Sequence, residues 1–441
     1  MVNASLRSEK DMRILKQGMR GSDVAEVQTR LKNWGYNSVS IDGIFGRMTL
    51  NAVIQFQTAR GLKPDGIVGP ITYNELQKSP SPPGTIPYVI KPGDTFYKLA
   101  QTYGISLASL IAANPGVDPN KLYIGQQIRI PQTARKRSVA AWIPYWLQDE
   151  AFAVIQKSPD LFTIISPFWY ELTSEGYLSV FSNGEDPKII SFAKKHGIEL
   201  IPLITNSYKS QPVSTIINDP ALRQKHIQAI VNKVSQMGYD GIEIDYENLL
   251  VMDKEVFVLF LRELKAALGI NKKVVATLMA KTNPTGDASG ATAHDYYGIG
   301  QVVDTVRIMT YDYSWTTPGP IAPADWVKQV LTYAVTVIPR EKLEAGLPTH
   351  GYNWGTRRTG VTYQSAINTA KTYNVPIIED RQNGPHYNYT DNNGTPHEVW
   401  FTNALNFKTL LEIVKQLNLR GISIWHPGND DPAIYDVIRN S

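Results

Sequence analysis

The run Asp240-Gly241-Ile242-Glu243-Ile244-Asp245-Tyr246-Glu247 decides how the rest of the chain is read. Gly241, Ile242 and Ile244 mark it as a buried strand. Side chains alternate along a strand, so Glu243, Asp245 and Glu247 share one face, with neighbours roughly 6 to 7 Å apart. Three carboxyls on an inward face repel one another, and the crowding raises the pKa of at least one of them. A carboxyl that keeps its proton near neutrality can serve as a general acid. Glu247, at the strand tip, is the candidate. An acidic surface strand and a metal site are the competing readings of such a run; neither a metal nor a cofactor is expected here.

Working outward, buried-strand runs alternate with amphipathic helices from about Ser138 onward. The candidate strands are Val139 to Ile143, Thr163 to Pro167, Glu199 to Ile204, Gly241 to Asp245, Val274 to Leu278, Thr305 to Met309, Leu343 to Leu347 and Gly421 to Trp425. Eight strands with intervening helices over residues 138–441 predict an α/β fold, a (β/α)8 TIM barrel, whose function sits at the strand C-termini. A longer excursion between strands seven and eight carries the turn-like Asp391-Asn392-Asn393-Gly394, flanked by Tyr389 and Val399-Trp400-Phe401. It is expected to be a small α+β insertion forming one wall of the cleft.

Two breaks precede the barrel: the Pro-rich linker Ser79-Pro80-Ser81-Pro82-Pro83-Gly84, and Ala134-Arg135-Lys136-Arg137. The first segment repeats Asp42-Gly43-Ile44-Phe45-Gly46 as Asp65-Gly66-Ile67-Val68-Gly69, 23 residues on, each copy followed after two more residues by a threonine, Thr49 and Thr72. The glycines suit tight turns with positive φ. Leu50, Val53, Ile54 and Phe56 within Thr49 to Gln57 have helical spacing, and a small three-helix unit is expected. With Gly21-Ser22-Asp23-Val24 and Val27-Gln28-Leu31, this pattern closely resembles a type 1 peptidoglycan-binding domain, placed at residues 14–78. The second segment runs Tyr88-Val89-Ile90-Lys91-Pro92-Gly93-Asp94-Thr95, Leu99-Ala100, Tyr103-Gly104, Leu110, Asn114-Pro115 and Leu122-Tyr123-Ile124-Gly125-Gln126-Gln127-Ile128-Arg129-Ile130-Pro131. Strand, two short helices and strand fit it, with Gly93 and Gly125 at turns. It closely resembles a LysM domain, a βααβ unit placed at residues 87–132, and that resemblance implies binding of N-acetylglucosamine-containing glycans.

Composition narrows the function classes. With 441 residues, 42% hydrophobic and 19% charged, the chain can form several folded domains. Having no cysteine, it has no disulfide scaffold, zinc-thiolate site or thiol nucleophile. The N-terminal stretch shows no apolar h-region and no apolar run is long enough to span a membrane. A mature chain, or release by mother-cell lysis around a spore, is the expectation. Residues 1–137 carry a balance of +9 and the remainder −5. A basic front half suits an anionic polymer, nucleic acid or bacterial wall; no nucleic-acid-binding module is recognisable, so nucleic acid is discounted as a partner.

The later strand ends carry Met309-Thr310-Tyr311-Asp312-Tyr313, Gly346-Leu347-Pro348-Thr349-His350-Gly351-Tyr352 and Gly421-Ile422-Ser423-Ile424-Trp425. Together with residues 240–247 they are similar, in the correct order, to the strand motifs of family 18 glycoside hydrolases, and the resemblance covers residues 138–441. It implies that Glu247 protonates the glycosidic oxygen while the substrate's own 2-acetamido oxygen attacks the anomeric carbon. Asp245 would orient the acetamido group, Tyr311 would donate to its oxygen with Asp312 in support, and Trp425 would floor the −1 sugar. Glu243 is counted with the catalytic carboxyls, and Met309, Tyr246, Phe168 and Asn206 with the substrate contacts. His350, His386, His397 and His426 lack ligand spacing and are read as surface or polar-network residues.

Glu243 stands where the family usually has Asp, adding a methylene beside Asp245. The third strand reads Ile201-Pro202-Leu203-Ile204-Thr205-Asn206 in place of the S-x-G-G of many chitinases. Ser166-Pro167-Phe168-Trp169-Tyr170, Tyr389-Thr390-Asp391-Asn392-Asn393-Gly394 and His397-Glu398-Val399-Trp400-Phe401 instead resemble the branch of bacterial spore cortex-lytic N-acetylglucosaminidases. The expectation is a monomeric enzyme of the spore coat, cortex or extracellular wall. It would cleave β-1,4 bonds after N-acetylglucosamine in peptidoglycan glycan strands. A chitinase, since LysM also tolerates chitin oligomers, and a catalytically silent wall-binding lectin are the alternatives.

Overall fold

In the computed structural model, residues 13–441 are described apart from 35, 37–38, 60–61, 78–84, 91–92, 103–106, 116, 120, 132–136 and 287–288. The Pro-rich linker at 79–84, Lys91-Pro92, Tyr103-Gly104 and Ala134 to Lys136 therefore lie outside the described residues. The chain divides into two units, Met1–Lys136 and Arg137–Ser441.

In the first unit, helices Ser22–Asn33, Arg47–Ala59 and Pro70–Gln77 enclose Val24, Val27, Leu31, Phe45, Val53, Phe56 and Val68. The internal repeat has a mechanical meaning. Gln28 Nε2 donates to Asp42 Oδ1, the Ile44 carbonyl and Thr49 Oγ1, while its Oε1 accepts from the Asp42 and Gly43 amides. Gln57 does the same for the second copy, reaching Asp65, Ile67 and Thr72 and accepting from the Gly66 amide. Each buried glutamine thus satisfies a tight loop whose glycine has the expected positive φ, 69° at Gly43 and 71° at Gly66. Further on, strands Thr85–Val89 and Gln127–Pro131 pair antiparallel beside helices Phe96–Thr102 and Leu107–Ala112. Asn114 ties the second helix to the second strand, donating to the Leu110 and Arg129 carbonyls and accepting from the Arg129 amide.

The second unit is a closed barrel. Its eight strands are Ser138–Ile143, Ile164–Leu172, a third in two pieces (Glu199–Leu200 and Leu203–Thr205), Gly241–Asp245, Lys273–Met279, Thr305–Met309, Leu343–Pro348 and Gly421–Trp425. Each pairs in parallel with its neighbours, and the first closes on both the second and the eighth. The third is split at Pro202, which has no amide to give the ladder. Helices follow the amphipathic rule: Lys254–Leu268, after strand four, buries Phe257, Val258, Phe260, Leu261 and Leu264 on one side. Between strands seven and eight, His350–Trp354, Arg358–Thr362, His386–Thr390 and Pro396–Phe401 form a four-stranded antiparallel sheet. Helix Tyr363–Thr372 covers one of its faces through Ala366, Ala370, Tyr387, Val399 and Phe401. The expected α+β insertion is present.

Inward side chains stack in layers, as barrel geometry requires. Ala140, Ile164, Ile201 and Val275 form an apolar cluster. Above them lies a charged layer. Arg307, fully buried, pairs with Glu243 through Nη1 and with Glu344 through Nε at 2.9 Å, and Nη1 also donates to Ser166 Oγ. Arg420 reaches the other oxygen of Glu344 at 3.0 Å. Removing Arg307 leaves Glu243 without a cation and Glu344 with Arg420 alone, and an uncompensated buried charge costs about 3 to 5 kcal/mol in comparable sites. Arg307→Leu is expected to lower unfolding free energy by about that amount in chemical denaturation; an unchanged midpoint would contradict this account of the barrel interior.

Candidate active site

Strand four delivers its carboxyls at three depths. Glu243 is fully buried in the charged layer, where it accepts from Trp142 Nε1 at 2.8 Å and Thr277 Oγ1 at 2.5 Å besides pairing with Arg307. It does not line the cleft, which corrects its grouping with the catalytic carboxyls. Its carboxylate is directed to a cation from strand six, Arg307. Asp245 is 3% exposed, and its Oδ1 accepts no hydrogen bond from any described group. Glu247, half-buried, lies just past the strand end.

The backbone that carries Glu247 is clamped. Asn206 Nδ2 donates to the Glu247 carbonyl at 2.8 Å and its Oδ1 accepts from the Glu247 amide at 2.9 Å. Asn206 is therefore a positioning residue and not a substrate contact as expected. Tyr246 also departs from expectation. Alternation turns it away from the cleft into the helical layer, where its hydroxyl meets His226 Nε2 at 2.6 Å and its ring packs with Phe257 and Phe260. His294 Nδ1 accepts from the Met279 amide, leaving Nε2–H to donate to the Tyr246 carbonyl. Burial lowers the pKa of both His226 and His294 to about 4, so both hold this segment as neutral rings.

Above strand four, a cleft of about 320 Å³ is lined by Asp245, Glu247, Tyr311, Asp312, Met309, Phe168 and Trp425. Trp425 stacks over Tyr311, with ring planes 10° apart, and lies edge-on to Trp142 and Trp146. Gly346 leaves room for this floor, since a Cβ there would lie 3.1 Å from both the Trp142 and Tyr311 rings. Asp312 is held by His350 Nε2 at 2.8 Å, which places that histidine in the polar network. Trp142, Trp146, Tyr208, Trp315 and Tyr352 also line the cleft and were not assigned from sequence. Trp142 was readable, because it alternates inward with Ala140 on strand one. Tyr208 and Trp315 sit on loops with no period to betray them.

The electrostatics separate the carboxyls by cause. Burial first, then the Asp312 charge, pushes Glu247 up to about 7. Asp245 is raised well above the usual carboxylate range by burial, then by Glu247, then by Glu243. These groups titrate as a coupled set. Tyr311 is held protonated by burial and by the carboxylates around it. Near neutrality the cleft thus offers a proton on a half-buried carboxyl and phenolic donors above an aromatic floor. Among the eight described non-glycine residues with positive φ, Ser207, Tyr208 and Asp312 line this cleft, and backbone strain of this kind is typical of functional sites.

The model of the glycosyl hydrolases family 18 matches residues 151–430. The chain belongs to that family. Peptidoglycan binding domain and LysM domain models match residues 20–76 and 88–131. A cortical fragment-lytic enzyme of Bacillus anthracis is 32% identical over 290 residues, covering 63% of this chain and 67% of the relative. The crystal structure of the Bacillus cereus spore cortex-lytic enzyme SleL superposes with a TM-score of 0.64 at 27% identity, covering 97% of both chains. That of Bacillus megaterium QM B1551 SleL gives 0.64 at 26% identity, over 80% of this chain and 86% of the other. The family 18 barrel is thus an enzyme, a glycoside hydrolase joined to wall-binding modules, and no described helix is long and apolar enough to cross a membrane.

The pH profile follows from these charges. A general acid must be protonated, so with Glu247 in that role, as proposed below, kcat/KM is expected to fall as pH rises through about 7. Asp312→Asn removes a charge that raises this pKa and should move the falling limb to lower pH. A limb that stays in place would show that Asp312 does not act on Glu247.

Proposed function

We propose that the chain hydrolyses β-1,4 glycosidic bonds after N-acetylglucosamine in bacterial peptidoglycan, spore cortex or its fragments, by substrate-assisted retaining catalysis. The observation that carries this is the pairing of Asp245, buried with an acceptor oxygen unused by the protein, with Glu247, whose pKa is near 7, over the Trp425 floor. Glu247 protonates the leaving oxygen. The acetamido oxygen of the same sugar attacks the anomeric carbon and displaces the leaving group, forming an oxazolinium ion. Asp245 Oδ1 accepts the acetamido N–H and stabilises the charge that develops there, and Tyr311 donates to the acetamido oxygen. Water then opens the ring, with Glu247 as base, restoring the starting configuration.

The proposed domains span residues 14–78, 87–132 and 138–441, with the chain acting as a monomer at the spore cortex or wall. The relatives' names, cortical fragment-lytic and spore cortex-lytic, favour cortex over chitin, as does the first binding module.

Mass spectrometry of products from spore cortex peptidoglycan, vegetative wall and chitin tests the reading. Muropeptides with reducing-end N-acetylglucosamine are expected, and Glu247→Gln should reduce their formation about 100- to 10,000-fold. Chito-oligomers alone would make the protein a chitinase, and no cleavage by wild type would make it a binding protein. Tethered modules raise the local concentration of substrate. Deleting residues 1–136 should therefore slow turnover of insoluble wall more than of soluble fragments; equal losses on both would rule that role out.

A further inference from the structure

The face of the insertion sheet opposite helix Tyr363–Thr372 carries a row of side chains in register: Arg358 opposite Trp354, and Trp354 opposite Glu398. An open groove of about 660 Å³ runs along it, lined by Trp354, Arg357, Arg358, Asn388, Glu398 and Thr316. The groove adjoins the catalytic cleft through Arg358. Its guanidinium carbon lies 3.2 Å from the centroid of Trp315 and 4.3 Å from that of Tyr352, two rings that line the cleft. The Tyr352 hydroxyl in turn hydrogen bonds with both Asp312 and Arg358.

Arg358 is immobilised but not neutralised. It forms no ion pair among the described residues, and its buried Nη1 has no acceptor. Trp354 Nε1, on a ring only 7% exposed, is likewise a buried donor without a partner. Native proteins leave few such donors, and two in one groove need an explanation. Glu398 does not supply it: it stands two strands from Arg358, roughly 10 Å by strand spacing, and its Oε1 accepts from Trp400 Nε1 at 2.7 Å. The Trp315 and Tyr352 rings stand at 89° to each other with the guanidinium packed against both, and its remaining N–H groups form a fork that matches a carboxylate.

We propose that Arg358 and Trp354 form an anion subsite that takes a carboxylate of the peptidoglycan stem peptide while the glycan lies in the cleft. This rests on the peptidoglycan reading above, and gives the barrel itself a means of preferring peptide-bearing glycan to neutral chitin.

The test compares soluble cortex fragments with the same fragments whose carboxyls have been amidated. Binding is read in the full chain by tryptophan fluorescence, which reports on the barrel because all but Trp34 of the nine tryptophans lie beyond residue 136. With Glu247→Gln to prevent turnover, untreated fragments should bind roughly tenfold or more tightly than amidated ones, the scale of a charged hydrogen bond. Adding Arg358→Gln should abolish that difference while leaving affinity for amidated fragments unchanged, and Arg358→Lys should restore part of it. Equal weakening for both fragments would reduce Arg358 to a structural prop, and no weakening, or no preference in the parent, would overturn the subsite. Cleavage by the otherwise wild-type chain is assayed separately, so failure of the catalytic reading leaves the binding result interpretable.

Discussion

A single guanidinium inside the barrel makes the arrangement of strand four tenable. Arg307 rises from strand six between Glu243 of strand four and Glu344 of strand seven, with none of the three exposed to solvent. Charges at such depth are costly unless paired, and one cation shared between two carboxylates is closed electrically by Arg420 at the rim. Because Glu243 is taken up in that layer, the next inward residue, Asp245, meets the cleft without a protein partner for Oδ1. Depth along one strand thus gives a repeating acidic pattern different surroundings: an ion pair, an acceptor oxygen without a protein partner, and at the tip a carboxyl of raised pKa, suited to the proposed general acid.

Positioning of Glu247 falls to neutral groups. Glu247 lies beyond the last ladder bond of its strand, where a chain would ordinarily be free to move. Asn206 grips both its peptide groups, and His294 and His226 fix the preceding residue from the other side. A charged clamp would have perturbed the acid it holds. Amide and neutral imidazole hold geometry without adding charge, leaving burial and Asp312 to set the pKa of Glu247.

Features written in local pattern were legible in the sequence. The eight strands, the insertion, the repeat loops and the cleft positions of Asp245, Glu247, Tyr311, Asp312, Phe168, Met309 and Trp425 follow from alternation, turn residues and motif resemblance. Alternation places Tyr246 outward, and its membership of the strand motif carries no information about that phase. Glu243 and Asn206 depart from expectation for a different reason. Their partners are distant in sequence, Arg307 64 residues on and Glu247 41 residues on, and nothing local reports such pairs. The buried Gln28 and Gln57 show the intermediate case, a side chain whose role becomes visible only once the loop it fastens is folded beside it.

Three of the six buried side-chain atoms without a partner among the described residues, Asp245 Oδ1, Trp354 Nε1 and Arg358 Nη1, lie on the cleft or the sheet beside it, the others being on Arg137, Asp253 and Arg307. Ser207, Tyr208 and Asp312 hold left-handed backbone at the cleft. Left-handed φ at a residue other than glycine costs about 1 to 3 kcal/mol in sparse regions, less for asparagine. A barrel whose strands are buried on both faces and whose helices pack continuous apolar sides can sustain these costs without losing its fold. A substrate that supplies an amide N–H to Asp245 and a carboxylate to Arg358 would satisfy groups the free protein leaves unmet. Its binding energy would then come from the same atoms that select it, which is how a rigid site can be both specific and ready for chemistry before the substrate arrives.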